Sequence, residues 1–341
     1  MVTDRRALRL PRSVWWIFAG ISIALGAVTA LLLGADGKVS FTEAPELRLP
    51  VPPTSAVPAA SDAGGETAVL PELLEPGPYG PLPRIAADGR RPFLAYARPF
   101  DAADARPKVA LLVLGLGLQA ELTAAAIRLP GEISLHFSAY APDLPGLVTR
   151  ARAAGHEVLL DLPMEPQDYP ASDPGPHTLL ASSALEDNLA RLDWLLAQAP
   201  GHIALAGSGA RFATSRGAPP VLDVLARRGL ALVEIGDSLL ASAAAAVALP
   251  YANAQAVIDE DPSILSIEHA LAGLEAAALA SGSALGAAQG YPVSLERLRL
   301  WATTLEDKGL VLAPVSALVI ERSGLAAEIE SHGPTVRQSR G

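Results

Sequence analysis

The chain has 341 residues, half of them hydrophobic but only 5% aromatic, so Ala, Leu and Val carry the apolar mass. With 18% charged residues and a net charge of −10, it is too apolar for a disordered polyampholyte and lacks the basic face that nucleic-acid phosphates require. Cysteine is absent, which excludes disulfide scaffolds, thiolate metal sites and cysteine nucleophiles.

Residues 1–13 are a basic segment in which Arg5, Arg6, Arg9 and Arg12 stand against Asp4. Residues 14–33 (VWWIFAGISIALGAVTALLL) follow without a charged side chain, and 20 helical residues span about 30 Å of hydrocarbon. Trp15 and Trp16 lie at the near boundary, where indoles favour the interface. The run exceeds the hydrophobic region of a cleaved signal peptide. It predicts a single-pass anchor in the cytoplasmic membrane, with the N-terminus inside and the bulk of the chain in the periplasm. Residues 34–106 are rich in proline (Pro45, Pro50, Pro52, Pro53 and Pro58 among others) and predict an extended linker. Within it, 92–100 (PFLAYARPF) is more aromatic and reads either as a strap on the folded domain or as disorder.

Short apolar runs then alternate with helical stretches. Strands are predicted over 109–114, 133–137, 158–160, 203–206, 231–235, 256–258, 284–288 and 311–315. Helices are predicted over 120–128, 144–154, 184–199, 220–228, 263–280 and 293–307, with Gly155 and Gly229 as stops. On 184–199, Leu189, Leu192, Leu195 and Leu196 share one face. Such alternation implies about seven parallel strands with right-handed crossovers, in a barrel or a doubly wound sheet. Either way the folded domain covers 107–322, with a flexible tail over 323–341, and ligands belong at the C-terminal strand ends.

Those ends carry few orthodox motifs. Gly115-Leu116-Gly117-Leu118-Gln119-Ala120 matches the glycine pattern of a dinucleotide turn, but no acidic residue follows about 20 positions on, where His136, Phe137 and Ser138 stand. Asp161 and Glu165 follow the third strand, Ser208 and Arg211 the fourth, and Glu234 and Asp237 the fifth. Asp259 follows the sixth, and Gln289 and Tyr291 the seventh. Ser208 lacks the flanking glycine of a nucleophile elbow. The six histidines show no zinc spacing.

Taken together, several stretches resemble the divergent polysaccharide deacetylase family, periplasmic relatives of carbohydrate esterases. They are VALLVLGLG (109–117), LPG (129–131), SAYAPDLPGLVTRARAAGHEVLLDLPMEP (138–166), DPGPHTLL (173–180), GARFAT (209–214), VLDVLARRGLALVE (221–234) and GYP (290–292). The resemblance implies a distorted (β/α) barrel. It also implies a divalent ion held by an aspartate and two histidines, with a second aspartate as base and the ion polarising both amide and water. The family's aspartate pair falls on Leu114 and Gly115, and the histidine of its HLPMEP motif on Asp161. The histidine of NNHxGSRF falls on Gly207, after Leu205 and Ala206, and that of GHPYP on Gln289. Met164, Glu165, Arg211, Phe212, Asp259, Tyr291 and Pro292 keep the pattern.

Leucine and glycine side chains have no lone pair to offer a cation, so the expectation is a deacetylase-like scaffold without metal or other cofactor and with its chemistry lost. Its cleft, with Asp161, Glu165, Arg211, Asp237, Asp259, Gln289 and Tyr291 as candidate lining, then binds glycan or an envelope protein. The alternatives are an active carbohydrate deacetylase with displaced zinc ligands, a carboxylate-based activity, and a structural interaction protein of the periplasm. The predicted partners are the membrane, through the N-terminal helix, and a glycan or protein, with no role for nucleic acid.

Overall fold

The computed structural model describes residues 68–325; the predicted anchor at 14–33, the first half of the predicted linker and residues 326–341 lie outside the described residues. The first elements are an antiparallel hairpin, β1 (Leu74–Gly77) with β2 (Gly80–Pro83), and a short helix α1 (Pro92–Ala95). The stretch read as a linker therefore carries structure from Pro71 onward. Prolines are compatible with it because a two-stranded hairpin is all edge and leaves positions that need no N–H. Leu73, Leu82, Phe93 and Tyr96 anchor this segment in the core.

The barrel follows as β3 (Lys108–Leu116), α2 (Ala120–Ala126), β4 (Ser134–Phe137), α3 (Leu144–Ala153), β5 (Val158–Asp161), α4 (Leu185–Ala197) and β6 (Ala204–Gly207). A short α5 (Ala210–Ala213) and α6 (Ala218–Arg227) lead to β7 (Ala231–Ile235), then α7 (Ala241–Ala246), β8 (Tyr251–Ala254) and β9 (Ala256–Val257). The last elements are α8 (Ile264–Ser281), β10 (Ser283–Gln289), α9 (Pro292–Ala302), β11 (Val311–Leu312) and α10 (Val315–Ser323). All pairings among β3–β11 are parallel, in the order β8-β7-β6-β5-β4-β3-β10-β9, with β11 against the start of β3. Because β8 and β9 are separated only by Gln255, the two ends of that order are one run of chain, and the sheet comes round to a near-barrel.

Alternation along the strands separates two cores. Val109, Leu111 and Val113 of β3, with Leu135, Leu160, Leu205 and Leu232, face the surrounding helices. Ala110, Leu112 and Leu114, with Leu159, Ala204, Ala206, Ala231, Val233, Ala252, Ala254, Leu285 and Ala287, fill the interior. The interior is largely alanine. It is completed by Val315, Leu318 and Val319 of α10 and by Phe93 and Tyr96 of the N-terminal segment.

The second half of the chain departs from the sequence expectation in several places. The strand expected over 311–315 stops at Leu312, because Pro314 (φ −66°) occupies the N-cap of α10, whose apolar residues recur at i, i+3 and i+4. The helix expected over 293–307 ends at Ala302 and is followed by a separate turn, Glu306–Lys308, closed by Gly309 in the left-handed region (φ 70°). Strand β8 was not foreseen. Among the described residues one helix, α8, has the length and composition to cross a membrane, and it lays Ile267, Leu271, Leu274 and Ala278 on the barrel.

Candidate functional site

The C-terminal mouth of the barrel is floored by the last inward residue of several strands. Leu114 and Gln289 are in register on β3 and β10, and Asp161 and Ala206 on β5 and β6. His136 projects inward from β4 and is almost wholly buried. Its Nδ1 accepts the Gly115 N–H at 3.4 Å, and its Nε2 lies 3.2 Å from the Ala206 carbonyl oxygen and 3.5 Å from Asp161 Oδ1. A backbone amide only donates, so Nδ1 is the lone-pair nitrogen and Nε2 carries the hydrogen. One imidazole thus joins the tops of β3, β5 and β6 to β4. Sequence reasoning passed over His136; the signal was its parity with Ser134, which puts it on the inward face of β4.

The positions where the family carries its ligands are filled differently. Leu114 is buried in the interior core. Gly115 sits in the left-handed region (φ 70°), and a Cβ there would lie 3.5 Å from Gln289 Oε1, so the Gln289 side chain extends over it. At Gly207 there is no room for any side chain, since an added Cβ would fall inside contact distance of the Leu162 carbonyl oxygen. The Leu162 N–H in turn donates to the Ala206 carbonyl at 2.8 Å, which fixes this close approach of β5 to β6. Asp161 is the one ligand position that still carries an oxygen donor of full charge, with 27% of its side chain exposed. Among the described residues no three His, Asp or Glu side chains converge as a metal would require. The divalent ion that the resemblance implies therefore does not fit these residues.

The remaining candidates divide between loop ties and surface. Glu165 is buried and accepts the Ala181 N–H (2.6 Å) and Arg211 Nη1 (3.1 Å), while Arg211 Nη2 donates to the Gln167 carbonyl (2.8 Å). The pair holds the long segment after β5 instead of facing a ligand. Asp259 is also buried, accepting the Gln289 N–H (2.9 Å) and a short bond from the Ser294 hydroxyl, so it fixes the β10–α9 junction. Glu234 accepts the Leu239 and Leu240 N–H groups (each 3.0 Å) and the Tyr251 hydroxyl (2.5 Å), shaping the turn after β7. Asp237 is exposed in that turn. Tyr291, N-cap of α9, is 45% exposed at the mouth. The structure thus brings together Gly115, His136, Asp161, Ala206 and Gln289, with Tyr291 beside them, and leaves Glu165, Arg211, Asp237 and Asp259 out.

The glycine turn after β3 is explained by packing. The Gly117 N–H donates to Thr123 Oγ1 (2.9 Å), and a Cβ on Gly117 (φ 104°) would press on Ala141 Cβ at 2.5 Å. Beside the mouth, Tyr140, His177 and Trp194 form an aromatic cluster, with His177 stacked on Trp194 at 3.6 Å. The Tyr140 hydroxyl accepts the His177 N–H at 3.0 Å. Burial first, and the charge of Asp161 second, hold that hydroxyl above the usual phenol range.

Residues 111–319 match the family model described as divergent polysaccharide deacetylase. A crystal structure of an uncharacterized protein, ATU2773, from Agrobacterium tumefaciens C58 shares 36% identity and superposes with a TM-score of 0.68, covering 70% of this chain and 99% of that one. A fructose-bisphosphate aldolase from Campylobacter jejuni reaches only 12% identity and a TM-score of 0.23 over 55% of this chain and 72% of its own, a likeness too slight to carry an argument. No curated protein matches the sequence. The family match spans most of the barrel, and the Agrobacterium protein matches over nearly its whole length: the chain belongs to the divergent polysaccharide deacetylase family.

Proposed function

We propose that this chain is a membrane-anchored, extracytoplasmic member of its family that binds glycan at the barrel mouth without hydrolysing it. The observation that carries the proposal is the pairing of Gly207 with Leu162. The resemblance implies a histidine there, and the Leu162 backbone occupies the space that any side chain at this position would need. Catalysis by an activated water requires several donors around one cation. Here two of those positions are glycine, one is leucine and one is an amide. What faces solvent instead is suited to sugar: the Gln289 amide offers both donor and acceptor to hydroxyls, and an exposed tyrosine ring lies flat against the apolar face of a pyranose. The uncharged 14–33 run behind four arginines supports insertion with the barrel outside the cytoplasm.

The test uses the full chain in nonionic detergent, titrated calorimetrically with oligomers of N-acetylglucosamine and of glucosamine and assayed for released acetate. Binding should weaken about tenfold in Gln289→Ala or Tyr291→Ala, the loss of one good polar or stacking contact. No acetate should appear, with or without added zinc. One zinc bound per chain together with acetate release would refute the proposal in favour of an active deacetylase. Protease shaving of intact spheroplasts should remove the barrel and leave the N-terminal segment in the membrane fraction.

A further inference from the structure

We infer that the mouth selects glycans bearing free amines over their N-acetylated counterparts, with Asp161 as the selecting group; the inference rests on the glycan-binding reading above. Asp161 ends β5 with its side chain turned inward at the mouth and about a quarter exposed. Among the described residues it makes no ion pair with lysine or arginine, and its one charge-capable neighbour is His136, at 3.5 Å. The Nδ1 of that imidazole accepts the Gly115 N–H, and its Nε2 is shared between Asp161 and the Ala206 carbonyl, which lies closer at 3.2 Å. Arg211, on α5 just after β6, is committed to Glu165 and to the Gln167 carbonyl. Asp161 is therefore a partly desolvated carboxylate with unspent acceptor capacity, and its charge is felt by Tyr140 across the mouth.

A carboxylate in that state discriminates between two forms of the same sugar. An acetamide presents one neutral N–H and a carbonyl oxygen, which a carboxylate repels. A primary ammonium presents three donors and a full positive charge, and a charge-assisted bond is about twice as strong as a neutral one. Gln289 Oε1, lying over Gly115, supplies a second acceptor from β10, and Tyr291 supplies the stacking surface.

The experiment is a calorimetric competition on the full chain in nonionic detergent, with hexamers of glucosamine and of N-acetylglucosamine at matched ionic strength. The glucosamine hexamer should bind at least about tenfold more tightly, the ratio expected of a partly buried ion pair over a neutral contact. Asp161→Asn, nearly isosteric, should bring the two hexamers within about threefold while leaving the circular dichroism spectrum unchanged. Equal binding of the two hexamers by the unsubstituted chain would overturn the inference and leave glycan binding standing. A preference that survives Asp161→Asn would assign it to the general acidity of the chain, and would overturn the inference as well. Failure of both hexamers to bind would remove the glycan-binding reading together with this one.

Discussion

Replacing His136 with alanine isolates what the imidazole does at the mouth. The substitution removes the acceptor of the Gly115 N–H and one of the two donors facing the Ala206 carbonyl, the other being the Leu162 N–H. The Gly115 bond is long and Gly115 itself is exposed, so its loss costs no more than the net worth of an ordinary hydrogen bond, about 1 kcal/mol at most. The cavity left by a buried ring that does not collapse adds about 2 kcal/mol. A total near 3 kcal/mol, at roughly 2–4 °C per kcal/mol for a domain of this size, lowers the unfolding midpoint by about 9 °C. Calorimetric scans of the full chain in detergent, with and without EDTA, read both halves of the argument. The chelator should leave the midpoint of the unsubstituted protein where it is, because the brace is an imidazole and no ion takes part. A chelator-sensitive midpoint, or a His136→Ala variant within about 2 °C of the parent, would refute the reasoning.

Three other perturbations probe the scaffold. Gly207→Ala sets a methyl against the Leu162 backbone, which cannot swing away, and should cost at least about 2 kcal/mol in urea unfolding, whereas Gly273→Ala, on the open face of α8 with nothing within 4 Å, should gain about 0.5–1 kcal/mol. Glu157 accepts the Arg98 N–H (3.0 Å), the Ser134 hydroxyl (3.1 Å) and both the N–H (3.0 Å) and the hydroxyl of Ser316, joining the N-terminal segment, the barrel and α10. Glu157→Ala orphans two buried backbone donors at about 1–3 kcal/mol each and should lower stability by about 4 kcal/mol, measurable as a shifted urea midpoint with early proteolysis of the segment before β3. Burial pushes the His202 imidazole down to about 4, with Nδ1 on the Ala199 carbonyl and Nε2 without a partner. As pH falls the unfolded chain takes up this proton first. The stabilisation is complete above pH 6.5 and is lost between 6.5 and about 4, an effect of about 3 kcal/mol that His202→Phe should flatten in pH-dependent unfolding.

The strands of the barrel were legible wherever an apolar run was bounded by turn residues. The run 231–235 coincides with β7, and 158–160 misses only Asp161 of β5. β8 escaped because its sequence, YANA, buries only two alanines and keeps Tyr251 and Asn253 half-exposed, so hydrophobicity alone does not mark it. α10 escaped because Val311 to Val315 is β-branched and apolar on both sides of Pro314. The proline was the available signal, since it ends one element and sets the N-cap of the next. The hairpin of β1 and β2 escaped because proline density was read as extension. In fact Leu73 and Leu82 are fully or nearly buried, and hydrophobic anchors among prolines are what distinguish a docked edge from a spacer.

The candidate positions were readable in the sequence and their packing was not, and the difference has a physical origin. Leu114, Gly115, Asp161, Gly207 and Gln289 stand at strand ends where the family resemblance implies other residues. How the space was then closed depends on backbone approach and on one buried ring, neither of which has a sequence period. All of these groups belong to the uppermost interior layer of the barrel. The layers beneath, with Leu112, Leu159, Ala204, Ala231 and Leu285, make their contacts with one another and with α10, and need nothing from the rim. A mouth built this way can lose ligands without unfolding the protein, provided that each lost polar contact finds a substitute. His136 supplies one for the Gly115 N–H, and the Leu162 N–H supplies one for the Ala206 carbonyl. Asp161 is left over: a carboxylate whose neighbours require nothing more of it than the His136 contact, and whose remaining lone pairs face the mouth. A carboxylate with acceptor capacity to spare at the mouth favours ligand groups that donate to it, cations most of all, so the group the scaffold did not need for itself is the one from which ligand preference is expected.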